Sequence, residues 1–190
     1  MCWVKIGHSI LQPRLHEVGR DYHTDLSVAC EWLAQQGCHR PGFACYRERD
    51  KLTIFSRPLL EFSVTYYHGK SDAPTLPYRD LSDLQAPAIR AWLSGNRFDS
   101  LILPDLPPAR YKTIHAFIQQ VPTVLLSPPD SGRKLPPRHL SFIAPYQTAG
   151  EAAVNMMHRL LRNKEVGIPP REHRLLMSSD RWTTEALIAS

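Results

Sequence analysis

Residues 26–50 read LSVACEWLAQQGCHRPGFACYRERD, and the change of rhythm inside this stretch decides the fold. Leu26, Ala29, Cys30 and Leu33 recur at the i, i+3, i+4, i+7 spacing of a helix with one buried stripe. Gly37 supplies the left-handed residue on which such a helix ends. Gly42 to Tyr46 is then a short unbroken apolar run, the composition of a strand buried on both faces, as occurs where helices cover a parallel sheet. A charged loop, Arg47 to Lys51, follows at once.

The same alternation continues in both directions. Upstream, Trp3 to Ile10 carries the Trp, Val and Ile of a strand. Downstream, Ser56 is placed to cap a helix bearing Leu59, Phe62 and Tyr66, with Pro58 in its first turn and Gly69 at its end. TLPY (75–78) suits a short strand, and Asp83 can cap a helix that buries Ile89, Trp92 and Leu93 before Gly95. Ser100 to Leu103 forms the next strand. A helix from Ala109 to Gln119 turns Tyr111, Ile114, Phe117 and Ile118 inward, and Thr123 to Ser127 is a further buried strand. Prolines at 128, 129, 136, 137 and 145 break the rhythm, so the following stretch reads as a crossover with a brief strand at Leu140 to Ile143. A long helix with Ala149, Ala153, Met156 and Leu160 on its buried side comes next, then a proline-bounded loop and one late strand. Strands alternating with helices of this length make βαβ units and a mostly parallel sheet, with helices on both faces.

Composition narrows the function. No apolar run approaches the roughly 20 residues needed to cross a bilayer, and the first residues show no charged leader with a cleavage site, so a cytoplasmic protein is expected. Four cysteines, Cys2, Cys30, Cys38 and Cys45, fall in the first quarter of a chain long enough to build a core without staples, which argues for reduced thiols. Cys30, Cys38, His39 and Cys45 lack any CxxC pair, so no metal is expected. A net charge of +5 is spread without the interleaved aromatics of a nucleic-acid platform. There is no GxSxG elbow, no phosphate-binding glycine loop and no HExxH. Cys45 with His39 or His115 is the remaining nucleophile arrangement, and no positioned base marks it.

Ligands of open parallel sheets bind outside the carboxyl ends of the strands. Two loops stand there: Arg47 to Lys51, and PDLPP (104–108) after LIL. Asp105 is the best single candidate, because a carboxylate just past a buried strand accepts hydrogen bonds from hydroxyls; a helix cap or turn residue is the equal alternative.

The segment EVGRDYHTDLSVACEWLAQQGCHRPGFACY (17–46) resembles the effector-binding domain of LacI/GalR-type transcriptional regulators, with Asp21, Ala29, Leu33, Gly37, Arg40, Gly42 and Phe43 on the matching positions. FDSLILPD, VPTVLLSPPD and TAGEAAVNMMHRLL are similar to later segments of that family in the same order, and a Gly-x-Pro turn, a last strand and a tryptophan follow. Cys38, Pro41 and Leu60 depart from the pattern. The resemblance implies a periplasmic-binding-protein-like (type I) α/β fold with a Rossmann-like parallel sheet, one lobe complete and one partial. The first lobe would contribute residues 1–20, with the Trp3 strand as its last before the crossover; the second lobe would be 21–130. Residues 131–190 would supply a crossover, a first-lobe helix and a closing strand.

It further implies a small-molecule effector, a sugar or nucleobase, held by Arg57, Asp105 and Asp130, with Asp21 at the interlobe crossover. Arginine offers a planar fork of donors and aspartates accept from neighbouring hydroxyls. A homodimer is implied, with no cofactor and no membrane partner. DNA would be contacted only through a helix-turn-helix absent from these residues, so the chain is expected to be N-terminally truncated relative to the family. Two other readings stay open: a Rossmann-like enzyme acting on a small metabolite, and an inactive remnant of a binding domain.

Overall fold

The computed structural model describes residues 2–7, 12–45, 78–80, 86–103, 114–126, 138–143, 145–179 and 181–183. In chain order the elements are β1 (Val4–Ile6), β2 (His16–Arg20), α1 (Tyr22–Gln35), β3 (Pro41–Cys45), β4 (Tyr78–Asp80), α2 (Ala86–Gly95), β5 (Ser100–Leu103), α3 (114–118), β6 (Thr123–Leu125), β7 (His139–Ile143), α4 (Tyr146–Arg162), β8 (Arg174–Met177) and β9 (Arg181–Thr183).

These strands form two sheets. One has the order β1-β2-β8 and is parallel throughout; the other has the order β4-β3-β5-β6-β7-β9 and is parallel except for the antiparallel pair β7–β9. The larger sheet follows from the apolar runs. Alternate side chains along β3, β5 and β6 point to opposite faces, and each face has its own helical cover. Phe43, Ile102 and Val124 pack with Leu26, Ala29, Cys30 and Leu33 of α1. Ala44, Leu101, Leu103 and Leu125 pack instead with Ile89 and Leu93 of α2 and with Ile114 and Ile118 of α3. The expected parallel sheet with helices on both faces is therefore present.

Local detail explains the entry into β3. Gly37 stands at φ +75° after α1, a conformation that L side chains rarely adopt. The carboxylate of Asp99, just before β5, then accepts from the backbone N–H of His39 at 2.6 Å and of Arg40 at 2.8 Å, which fixes the start of β3 beside β5. A Cβ on Gly42 would lie 2.8 Å from Leu101 Cδ2 and 3.0 Å from the Phe98 ring, so a larger residue there would make those side chains shift.

The smaller sheet is covered by α4, whose Ala149, Ala153, Met156 and Leu160 pack on Val18, with Val4 and Met177 beside it. Its middle strand, β2, departs from expectation. HEVGR reads as polar, and the Trp3 strand was expected to be the last before the crossover; instead β2 occupies that place, with all five residues buried. Its charged side chains are buried with partners: Lys5 Nζ lies 2.7 Å from Glu17 Oε2. β7 and β9, from the stretch read as crossover and closing segment, are hydrogen-bonded into the six-stranded sheet. The helix expected from Ser56 to Gly69 and the caps at Ser56 and Asp83 lie outside the described residues.

Cys30 is fully buried, and burial pushes its thiol up to about 12. In the unfolded chain the thiol ionises at about 8.5, so from there to the folded value the native state holds a proton that the unfolded state has lost. Stability is therefore full below pH ~8.5 and falls as the pH rises, by about 1.4 kcal/mol per pH unit for this group. Urea unfolding at stepped alkaline pH should show this decline, and Cys30→Ala should make it shallower; an unchanged slope would place the thiol outside the core.

Candidate functional site

Parallel register sets the geometry of the site. Phe43 pairs with Ile102, Leu103 with Leu125, and Cys45 with Asp80, so β3, β4, β5 and β6 all run out at one edge of the six-stranded sheet. β7 pairs in parallel with β6 and ends at the same edge. The described ends of these strands form one common rim.

The carboxyl ends of the smaller sheet meet that rim. β2 and β8 end together at Arg20 and Met177, which are register partners, and Asp21 N–H donates to the Met177 carbonyl at 2.8 Å. From the end of β2 the Arg20 guanidinium donates to the backbone carbonyl of Leu126, directly beyond β6, and to the carboxylate of Asp25 in the first turn of α1. Asp25 also accepts from the backbone N–H of Ser179 at 2.9 Å and from its hydroxyl at 3.0 Å, just past β8. The guanidinium lies 4.9 Å from the centre of the Tyr22 ring and 5.8 Å from that of Phe142, within cation–aromatic range. Arg20 and Asp25 are 9% and 1% exposed, so this is a desolvated ion pair that ties the ends of three strands from two sheets.

The chain passes between the sheets at three places: from β2 to α1, from β7 to α4 and from β8 to β9. Asp21 stands at the first. Its Oδ1 accepts from the N–H groups of His23 and Thr24 at 3.1 and 3.2 Å, and its Oδ2 from the Thr24 hydroxyl at 2.8 Å. The carboxylate thus caps α1. Arg57, Asp105 and Asp130, the expected effector contacts, lie outside the described residues, as do the Arg47–Lys51 and PDLPP loops. Sequence reasoning passed over Arg20 and Asp25. The available signal was a charged residue inside β2 and another on the apolar side of α1 beside Leu26, Ala29 and Leu33.

Other chemistry finds little support in the described residues. Burial raises the Cys30 and Cys38 thiols, with the Asp99 charge adding to the effect at Cys38. That is the opposite of an activated nucleophile. No group of three His, Cys, Asp or Glu side chains that could hold a metal ion occurs among the described residues, and none of their helices is long and apolar enough to cross a membrane.

Two sheets whose carboxyl ends face one another across three crossings define a periplasmic-binding-protein-like α/β fold. Solved structures bear this out. The chain superposes on a xylose-binding transcription activator with a TM-score of 0.71, at 15% identity over 98% of this chain and 52% of that one. On a LacI family transcriptional regulator from Enterococcus faecium with bound ribose the TM-score is 0.65, at 13% identity over 99% of this chain and 72% of that one. On a transcriptional regulator in complex with cellobiose it is 0.67, at 15% identity over 96% and 57%. The chain thus spans about half the length of the xylose-binding activator. No family model and no curated protein matches it.

Removing Arg20 would strand the Asp25 carboxylate in a site where it is 1% exposed. Arg20→Met should destabilise the protein by about 3–5 kcal/mol, the usual cost of breaking a buried pair from one side, while Arg20→Met with Asp25→Leu should cost much less. Urea denaturation of the two variants compares them, and equal losses would show that the pair is not coupled.

Proposed function

We propose that the chain is the effector-binding part of a LacI-type transcriptional regulator, which holds a small polar molecule, a sugar or nucleobase, in the crevice between the facing carboxyl ends of its two sheets. The observation that carries this reading is the Arg20–Asp25–Ser179 junction, which sets the strand ends of one sheet against the rim of the other. Around that junction Arg57, Asp105 and Asp130 are proposed as the effector contacts and Asp21 as the crossover residue. The two lobes are proposed to be the three-stranded unit with α4 and the six-stranded unit.

An effector that touches both lobes favours the orientation in which its contacts are complete, and the equilibrium shifts by its differential affinity for the two orientations. The chemistry is binding, not turnover. The protein is proposed to act in the cytoplasm as a homodimer, with DNA contacted by a helix-turn-helix outside these 190 residues. The structural neighbours named above are transcription regulators, which favours this reading over an enzyme.

A thermal-shift panel of pentoses, hexoses, cellobiose and purine bases tests the proposal. A ligand that binds only the native state stabilises it by about 2.7 kcal/mol at a hundredfold excess over its Kd. At least one compound should raise Tm, and Asp105→Ala or Arg57→Ala should abolish the rise without lowering the ligand-free Tm. A folded protein that answers none of them would refute the effector reading, and consumption of the stabilising compound would turn it into an enzyme.

A further inference from the structure

The contacts at the junction are shared unequally between the two units. The three-stranded unit sends one long side chain, Arg20, from the end of β2. The groups that receive its guanidinium belong to the six-stranded unit: the Asp25 carboxylate and the Tyr22 ring on α1, the Leu126 carbonyl beyond β6 and the Phe142 ring on β7. Leu126 and Phe142 are part of the buried cluster that α1 forms with the larger sheet, and Tyr22 packs against that cluster. The guanidinium is thus a peg of one unit seated in the core of the other.

A peg alone would let the units swivel, and two features oppose that. The fork of Arg20 is held at two separate points, Asp25 on α1 and Leu126 after β6, which fixes its plane as well as its position. A second attachment comes from another crossing. Ser179, 5% exposed and just past β8, donates to Asp25 from its N–H to Oδ1 and from its hydroxyl to Oδ2. The two crossings are themselves joined by the bond from Asp21 N–H to the Met177 carbonyl. To turn one unit against the other, the guanidinium must leave a close-packed wall, and Asp25 must lose partners from both crossings while it is still buried. Packed cores of this kind have discrete arrangements and do not deform continuously.

We infer that the Arg20–Asp25–Ser179 junction is a latch that holds the two units in one relative orientation before any effector arrives, so that the crevice is preformed and is not closed by its ligand. The inference rests on the proposed function for its last step alone. An effector that takes this orientation escapes the loss of apparent affinity that a partly populated binding state carries. The holding itself needs no ligand.

Residue-resolved hydrogen exchange of the ligand-free 190-residue chain tests it. The reporter is the Ser179 amide, whose bond to Asp25 runs from one unit to the other. The references are the Glu17 amide within the smaller sheet, bonded to the His173 carbonyl, and the Leu101 amide within the larger, bonded to the Pro122 carbonyl. In the wild type Ser179 should exchange as slowly as the references, because the units do not part without unfolding. Arg20→Lys keeps a cation for Asp25 and loses the planar fork. It should speed exchange at Ser179 by at least about tenfold and leave Glu17 and Leu101 unchanged. A pair that merely stabilises the fold would speed all three alike. Should Arg20→Lys fail to fold, Ser179→Ala, which deletes the hydroxyl bond and keeps the reporting N–H, should give the same pattern. Small-angle scattering of the wild type should not change when a stabilising compound from the panel binds. A wild-type Ser179 amide far faster than both references, a variant that speeds all three amides or none, or a scattering curve that contracts on binding would overturn the latch. A panel without any stabilising compound refutes the effector reading and leaves the exchange result standing.

Discussion

The guanidinium of Arg20 has left water, and its position can be understood only through what replaces that water. A buried cation is tolerated when it is paired and hydrogen-bonded, and Arg20 meets both conditions by reaching the Asp25 carboxylate and the Leu126 carbonyl. Those partners belong to α1 and to the end of β6, while Arg20 itself ends β2. Satisfying one charge thus requires two sheets to meet at one place. An apolar contact at the same junction would tolerate sliding. A planar donor fork aimed at a carboxylate and a carbonyl does not, because hydrogen bonds weaken steeply as they bend.

The two units are built on different principles, and this governs how much of each the sequence discloses. In the larger one, β3, β5 and β6 are apolar on both faces and α1 carries its buried residues at helical spacing, so local pattern and tertiary role agree. The ends of elements were less legible. α1 begins at Tyr22, ahead of the apolar stripe that opens at Leu26, because Asp21 supplies the cap and its carboxylate takes up Thr24 as well. In the smaller unit, β2 places His16, Glu17 and Arg20 inside. Their burial depends on Lys5, Asp25, Glu165 and the backbone of His173, residues up to 157 positions away. No window of sequence around HEVGR contains that information.

The same reason limits what could be read of the site. Parallel-sheet logic places ligands at the carboxyl rim, and the rim exists, since register alone brings the ends of β3 to β7 to one edge. Arg57 and Asp130 were expected as contacts by resemblance alone. Asp105 alone had a local argument. The residues that set the rim against the second sheet, Arg20, Asp25 and Ser179, have no motif: they are separated by 5 and 154 positions and are joined only by folding.

The small sheet shows how such polar burial can coexist with order. Glu17 lies within ion-pair distance of both Lys5 and Arg174, and Arg174 also bonds Glu172 at 2.9 Å. The hydrogen bond from Arg174, with further help from the nearby positive charges, holds the Glu172 carboxyl below its usual value against a desolvation effect that acts the other way. Its contribution to pairing is therefore present above the ordinary carboxylate range and lost as the pH falls through the lowered value. These charges lie on β1, β2, β8 and the residue pair leading into β8, so they select which strands stand side by side. The apolar residues Val4, Val18 and Met177 select only which face meets α4. Strand order in this unit is thus set by charge and its layering by apolar burial, and the unit can keep a fixed register while leaving the outer flank of α4 apolar and open.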